Sequence, residues 1–147
     1  MKHNKWIIML LIMSIGTTAC LKERIVLDDT VYGDQTALTG AVLFKYTVVT
    51  NQLGYNEPVT GYQNTGIATP TNVIDKDNAK ITIVAAKGTD LTKIGIRFTH
   101  FAEKIEPIGG APAAGTIADF SKGMFVYRVY SADGNIRDWT ILISVAP

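Results

Sequence analysis

Phe125-Val126-Tyr127-Arg128-Val129-Tyr130-Ser131-Ala132-Asp133-Gly134-Asn135, followed by Ile136-Arg137-Asp138-Trp139-Thr140-Ile141-Leu142-Ile143-Ser144-Val145, is the stretch that decides the fold class. Phe125, Tyr127 and Val129 alternate with Val126, Arg128 and Tyr130. Trp139, Ile141, Ile143 and Val145 form a second alternating face. A period of two is the signature of a strand with one face buried. Asp133-Gly134 between the two runs predicts a tight antiparallel hairpin, because glycine tolerates the positive φ such turns demand. Trp139 and its aliphatic neighbours are expected in the core, each large side chain contributing about 2 kcal/mol on burial.

The same alternation extends toward the amino terminus. Lys93 to His100 turns Ile94, Ile96 and Phe98 to one side and Gly95, Arg97 and Thr99 to the other. Lys80 to Ala86 alternates Ile81, Ile83 and Ala85 with Thr82, Val84 and Ala86. Val42 to Val49 sets Val42, Phe44, Tyr46 and Val48 against Leu43, Lys45, Thr47 and Val49. No run of ten or more residues carries a capped helical stripe, and no internal repeat recurs at a fixed period. The expectation is an all-β chain, an immunoglobulin-like antiparallel β-sandwich of about seven strands spanning residues 40–147.

Five pieces of this region carry a resemblance: Ile74-Asp75 before Lys80-Ile81-Thr82-Ile83; Gly88-Thr89-Asp90-Leu91-Thr92; Ile105-Glu106-Pro107; Gly115 with Asp119-Phe120-Ser121; and Tyr127-Arg128-Val129-Tyr130 with Asp133-Gly134 and Trp139-Thr140-Ile141. From Val73 to Val145 the chain resembles an uncharacterised immunoglobulin-like module of Bacteroidetes lipoproteins, a domain of unknown function often encoded near glycan-use systems. Gly40 to Val49 would supply its first strand. That family commonly has proline on either side of its Gly-Thr-Asp loop, where this chain has Ala86-Lys87 and Lys93-Ile94. The pieces are turn chemistry and core: Asp90 and Asp119 are placed to accept backbone N–H groups, and Phe120 to be buried. The resemblance thus implies a fold and leaves the ligand open.

The amino terminus reads as an export signal. Lys2 and Lys5 precede eight consecutive apolar residues, Trp6 to Met13, and Ser14 to Ala19 is small and polar up to Cys20. The run falls short of the roughly 20 apolar residues a membrane-spanning helix needs, so residues 1–19 are expected to be a cleaved signal peptide. Thr17-Thr18-Ala19-Cys20 resembles a lipobox, which makes Cys20 the expected lipidation site and lipid on Cys20 the route to the membrane. Cys20 is also the only cysteine, so no intramolecular disulfide is available to an exported chain. Residues 20–39, with Lys22-Glu23-Arg24 and Asp28-Asp29, read as a tether, within which Ile25-Val26-Leu27 could form a short edge strand. The expected location is the outer membrane, on its surface or periplasmic face.

Composition narrows the function. Losing the leader removes Lys2 and Lys5 and turns a formal net charge of +1 slightly negative. With the basic residues scattered singly, no nucleic-acid footprint remains. His100 is the one histidine after the leader, no nucleophile elbow is present, and the usual zinc ligand set is missing. Asp75-Lys76-Asp77-Asn78 lacks the glycine and terminal glutamate of a calcium loop and reads as a polar turn. Pro107 to Gly115 reads as a small-residue connection with no phosphate-cradling motif. No catalytic residue, metal or cofactor is expected, and the protein is read as not an enzyme.

Asn51 to Asn72 is the one long segment without alternation, and it carries Tyr55, Asn56, Tyr62, Gln63 and Asn64. Rings beside amides suit sugars, and loops on a rigid sandwich are common binding positions. The same segment, rich in Gly and Pro, also reads as a plain connection whose tyrosines tuck against the sheets. The expected function is a non-enzymatic binding or interaction module for glycans or partner proteins of a nutrient-uptake system. The alternative is a structural subunit of a surface fibre or adhesin, with Ile25 to Leu27 or the last strand donated to a neighbour.

Overall fold

The computed structural model describes residues 34–50 and 60–147. The expected signal peptide, lipidation at Cys20, most of the tether, and Tyr55 and Asn56 lie outside the described residues.

Eight strands are present among the described residues: β1 (Leu38–Thr50), β2 (Thr60–Gly66), β3 (Thr71–Asp75), β4 (Lys80–Ala85), β5 (Gly95–His100), β6 (Lys104–Ile108), β7 (Met124–Tyr130) and β8 (Ile136–Val145). They form a three-stranded sheet in the order β2-β1-β5 and a five-stranded sheet in the order β3-β4-β8-β7-β6. The chain is therefore an all-β sandwich of immunoglobulin-like type. One pairing departs from the antiparallel expectation: β4 runs parallel to β8, with Ile81 opposite Ile141 and Ile83 opposite Ile143. Alternation reports which face a residue takes and says nothing of strand direction. β8 also lies between β4 and β7, hydrogen-bonded on both sides, so donating it to a neighbour would first require dismantling the sheet.

The alternating residues meet between the sheets. Ala41, Leu43, Ile94 and Ile96 face Ile81, Ile83, Phe125, Tyr127, Val129, Trp139, Ile141 and Ile143, all in one buried cluster. Phe98 meets Tyr127 edge-on with ring centroids 5.0 Å apart, and the Tyr127 hydroxyl donates to the Pro112 carbonyl at 2.7 Å. Burial pushes the Tyr127 phenol pKa up from its ordinary value. Ser131–Asn135 closes the β7–β8 hairpin with Gly134 at φ 96°. Phe120 is fully buried, edge-on to Phe125 at 5.0 Å, while Asp119 accepts the Ser121 N–H at 2.8 Å. Asp90 does the same for Thr92 at 2.9 Å, capping the one-turn helix Leu91–Lys93.

Two boundaries differ from the sequence reading. Residues 34–39, read as the end of the tether, belong to the domain: Gln35, Thr36, Ala37 and Leu38 are buried, and the Thr36 carbonyl accepts the Trp139 indole N–H at 2.8 Å. A segment without periodicity is docked here by a hydrogen bond and by Ala37 and Leu38, which join the core. The expected irregular stretch from Asn51 to Asn72 instead contains β2 and the start of β3. β2 reads Thr-Gly-Tyr-Gln-Asn-Thr-Gly and has no apolar alternation because neither of its faces is covered by the second sheet.

The outer face of the five-stranded sheet carries a row of ion pairs. Arg128 grips Asp138 through two bonds, Nε to Oδ1 at 2.7 Å and Nη2 to Oδ2 at 2.8 Å, and Tyr130 donates to Glu106 at 2.7 Å beside Lys104. The Arg128 guanidinium holds Asp138 below the usual carboxylate range, and the Lys104 ammonium and Tyr130 hydroxyl do so for Glu106. Hydroxyl and backbone donors lower Asp34, Asp90 and Asp119 likewise, each led by the side chain of Thr36, Thr92 and Ser121 respectively. Depressed folded values mean that this stabilisation is fully present above the unfolded values near 4 and is lost as pH falls through the folded ones. The thermal midpoint, followed by circular dichroism, is expected to be flat from about pH 7 to pH 5 and to drop steadily below about pH 4. A midpoint unchanged down to pH 2 would contradict this.

Candidate functional site

Strand β1 is apolar on both faces. Ala41 and Leu43 enter the core, whereas Val42, Phe44, Tyr46 and Val48 lie on the outer face of the three-stranded sheet, over which no other described strand packs. Residues paired across strands share a face, so the register completes the surface. Tyr62 stands opposite Val48, Asn64 opposite Tyr46, Arg97 opposite Val42 and Gly95 opposite Phe44.

The middle of this face is rigid. The Phe44 ring is 2% exposed because it lies over Gly95 and under the Arg97 guanidinium, whose carbon is 4.5 Å from the ring centroid. Tyr46 follows at 6.1 Å between centroids, and Tyr62 at 6.4 Å from Tyr46. The two tyrosines are 53% and 75% exposed and are flanked by Val42 and Val48 at 53% and 57%. Exposed apolar residues scattered singly are ordinary, but a contiguous run of rings and branched side chains on one face marks a contact surface. Its polar groups include the Asn64 amide, the Arg97 guanidinium and the hydroxyls of Tyr46 and Tyr62.

The structure divides the residues that the sequence singled out. Tyr62 and Asn64 share this face, and Tyr46, Phe44 and Arg97, which the sequence reading did not select, join them. Gln63 pairs with Thr47 and points to the opposite side, so it does not converge with its neighbours. Strand alternation requires this, because two residues adjacent along a strand cannot both face one ligand. Tyr55 and Asn56 lie outside the described residues. The signal for Tyr46 was present in the sequence as the second apolar face of Val42 to Val49.

His100, at the end of β5, has a buried Nδ1 with no hydrogen-bond partner among the described residues. Asp75 to Asn78 forms a turn in which Asp75 accepts both the backbone N–H and the side-chain amide of Asn78, at 3.0 and 2.8 Å. Among the described residues there is no group of three or more His, Cys, Asp or Glu able to hold a metal ion, and no helix long and apolar enough to cross a membrane.

Comparison with known proteins follows this geometry. Residues 93–142 match the profile of a family described as DUF5018-related, which takes in β5 to the middle of β8. No curated protein matches the chain. Among solved structures, the chain is similar to a Bacteroides fragilis protein inferred to be secreted, with a TM-score of 0.61 and 17% identity over 77% of this chain and 97% of that one. At that identity the likeness is one of fold.

Proposed function

We propose that the chain is a non-enzymatic, lipid-anchored module of the cell envelope that binds glycans on the outer face of its three-stranded sheet. The observation that carries this reading is the adjacent, exposed pair Tyr46 and Tyr62 with Asn64 opposite Tyr46. A pyranose presents an apolar C–H face that stacks on a ring, while its hydroxyls need amide or guanidinium partners at the rim. A sheet holds such rings at fixed spacing, so little conformational entropy is lost on binding.

Anchorage rests on Cys20 and its lipobox-like context, and export on the leader pattern before it. The Bacteroides fragilis neighbour inferred to be secreted agrees with an envelope location. Acylation is tested by mass spectrometry of the native protein: a diacylglyceryl adduct on Cys20 is expected, and an unmodified thiol overturns the anchor.

Binding is tested on a glycan array. Tyr62→Ala and Tyr46→Ala are each expected to weaken retention about tenfold, or about 1.4 kcal/mol, with the unfolding transition unchanged because both rings are exposed. An array that retains nothing, or variants that bind as the parent does, sinks the reading.

A fibre subunit is the second reading, favoured by the open edge of β2, whose described neighbour in the sheet is β1 alone. An unpaired strand edge accepts a partner strand. Concentration-dependent ladders on native gels are its signature.

A further inference from the structure

We infer that the cleft between the β1–β2 hairpin and the segment 86–94 is an acidic-sugar subsite, where Lys45, Lys87 and Lys93 take a carboxylate or sulfate group of a polysaccharide. This rests on the glycan reading of the outer face and names the class of glycan. The cleft has a volume of about 510 Å³ and is lined by those three lysines, Asp90, Thr89 and Tyr46, among others. Tyr46 also lines the cleft, but its neighbour Lys45 points to the opposite face of the sheet, so the cleft adjoins the outer face rather than forming one surface with it.

The charge in the cleft is unbalanced. None of the three lysines makes an ion pair with a described residue. The one acid in the lining, Asp90, accepts from both the Thr92 N–H and the Thr92 hydroxyl, at 2.9 and 2.7 Å, and its charge partly offsets that of Lys93, so the lining holds three positive charges against one negative. Asp119 stands near both Lys122 and Asp90, whose charges act on it in opposite directions. The cleft thus keeps a net positive charge on a chain whose overall charge is near zero.

Its walls are fixed. Ile67 donates to the Leu43 carbonyl at 2.9 Å, and Ala86 to the Ala68 carbonyl at 2.9 Å. The Thr89 hydroxyl closes the turn on the Ala86 carbonyl at 2.6 Å. Two other clefts among the described residues lack this combination. The one of about 430 Å³ at Asp34, Lys76, Asp77 and Arg137 has its guanidinium bonded to Asp34 and to the Lys76 and Asp77 carbonyls. The one of about 220 Å³ around Ile108 and Phe125 has a single charge, Lys122. Compact ammonium groups suit a sulfate or carboxylate as point charges, and their attraction weakens as salt is added.

The test is affinity electrophoresis of the full chain in detergent, in native gels containing polygalacturonate, heparin or neutral dextran. Retardation by at least one of the two acidic polymers is expected, polygalacturonate reporting a carboxylate and heparin a sulfate. The triple variant Lys45→Gln, Lys87→Gln, Lys93→Gln is expected to lose it at least tenfold while keeping its circular dichroism melt. A charge-matched variant at Lys76, Lys80 and Lys122 is expected to bind as the parent does. Equal loss in both triple variants, no loss in the cleft variant, or retardation by neither acidic polymer overturns the subsite. Capture on phosphatidylglycerol vesicles without retardation by either polymer overturns it also. If acidic retardation depends on the cleft lysines but survives Tyr62→Ala and Tyr46→Ala, the subsite stands and the tyrosine platform falls. Retention by dextran with an unaffected cleft variant leaves the platform and removes the subsite.

Discussion

Trp139→Ala is expected to lower the unfolding free energy by about 3–5 kcal/mol, a large share of the 5–15 kcal/mol typical of a domain. The side chain is fully buried and opposite Tyr127 in the β7–β8 ladder. Its loss removes apolar burial and leaves a cavity that surrounding strands cannot collapse into without moving. It also orphans the Thr36 carbonyl, whose bond to the indole N–H at 2.8 Å helps hold the segment before β1 against the five-stranded sheet. Trp139→Phe separates these effects, since it retains most of the volume and loses the N–H. The phenylalanine variant should keep more than half of the stability lost by alanine. Urea denaturation followed by circular dichroism measures both, and a loss below about 1 kcal/mol for Trp139→Ala would show that the ring does not hold the sheets together.

The second large effect falls on Gly95. A methyl group there would sit 2.3 Å from Phe44 Cζ, 2.5 Å from Cε1 and 2.7 Å from the Thr116 carbonyl oxygen. The ring can swing away only by leaving its place beneath Arg97, and the carbonyl belongs to backbone. Gly95→Ala is therefore expected to cost about 1–3 kcal/mol from overpacking, and Gly95→Val more. Because Phe44 is the ring next to Tyr46, the same substitution should disturb glycan retention although residue 95 itself is buried. A double-mutant cycle identifies the obstacle: if the ring is what the methyl meets, Phe44→Leu should cost less in the Gly95→Ala background than alone. Additive costs would place the whole conflict at the Thr116 carbonyl.

The sandwich was legible wherever a strand is covered on one side. Ile81 with Ile83, Ile94 with Ile96, Phe125 with Tyr127 and Trp139 with Ile141 are buried as their alternation implied, and Asp133-Gly134 turns the chain as expected. What stayed hidden is what alternation cannot encode. The parallel partnership of β4 with β8 joins strands far apart in sequence. β2 pairs through its backbone while its side chains remain polar. β6 carries Pro107, which a strand with one open edge tolerates.

The candidate site was half legible. Tyr62 and Asn64 were marked by residue type, but their assignment to a loop concealed the rule that sends Gln63 the other way. Tyr46 and Phe44 sit in a run whose second apolar face was visible, with nothing local to say that this face would be left uncovered. Lys45, Lys87 and Lys93 are scattered singly along the chain and converge only through the fold.

The position of β8 between β4 and β7 also constrains the order of assembly. The β3–β4 and β6–β7 ladders are local and can form from their own segments, yet each presents a bare edge until residues 136–145 arrive to join them. The larger sheet is thus completed at its middle, by a strand that must enter a slot rather than extend a rim. A nascent polypeptide lacking that strand would hold two half-ladders with unpaired seams, closing the larger sheet only once the keystone emerges.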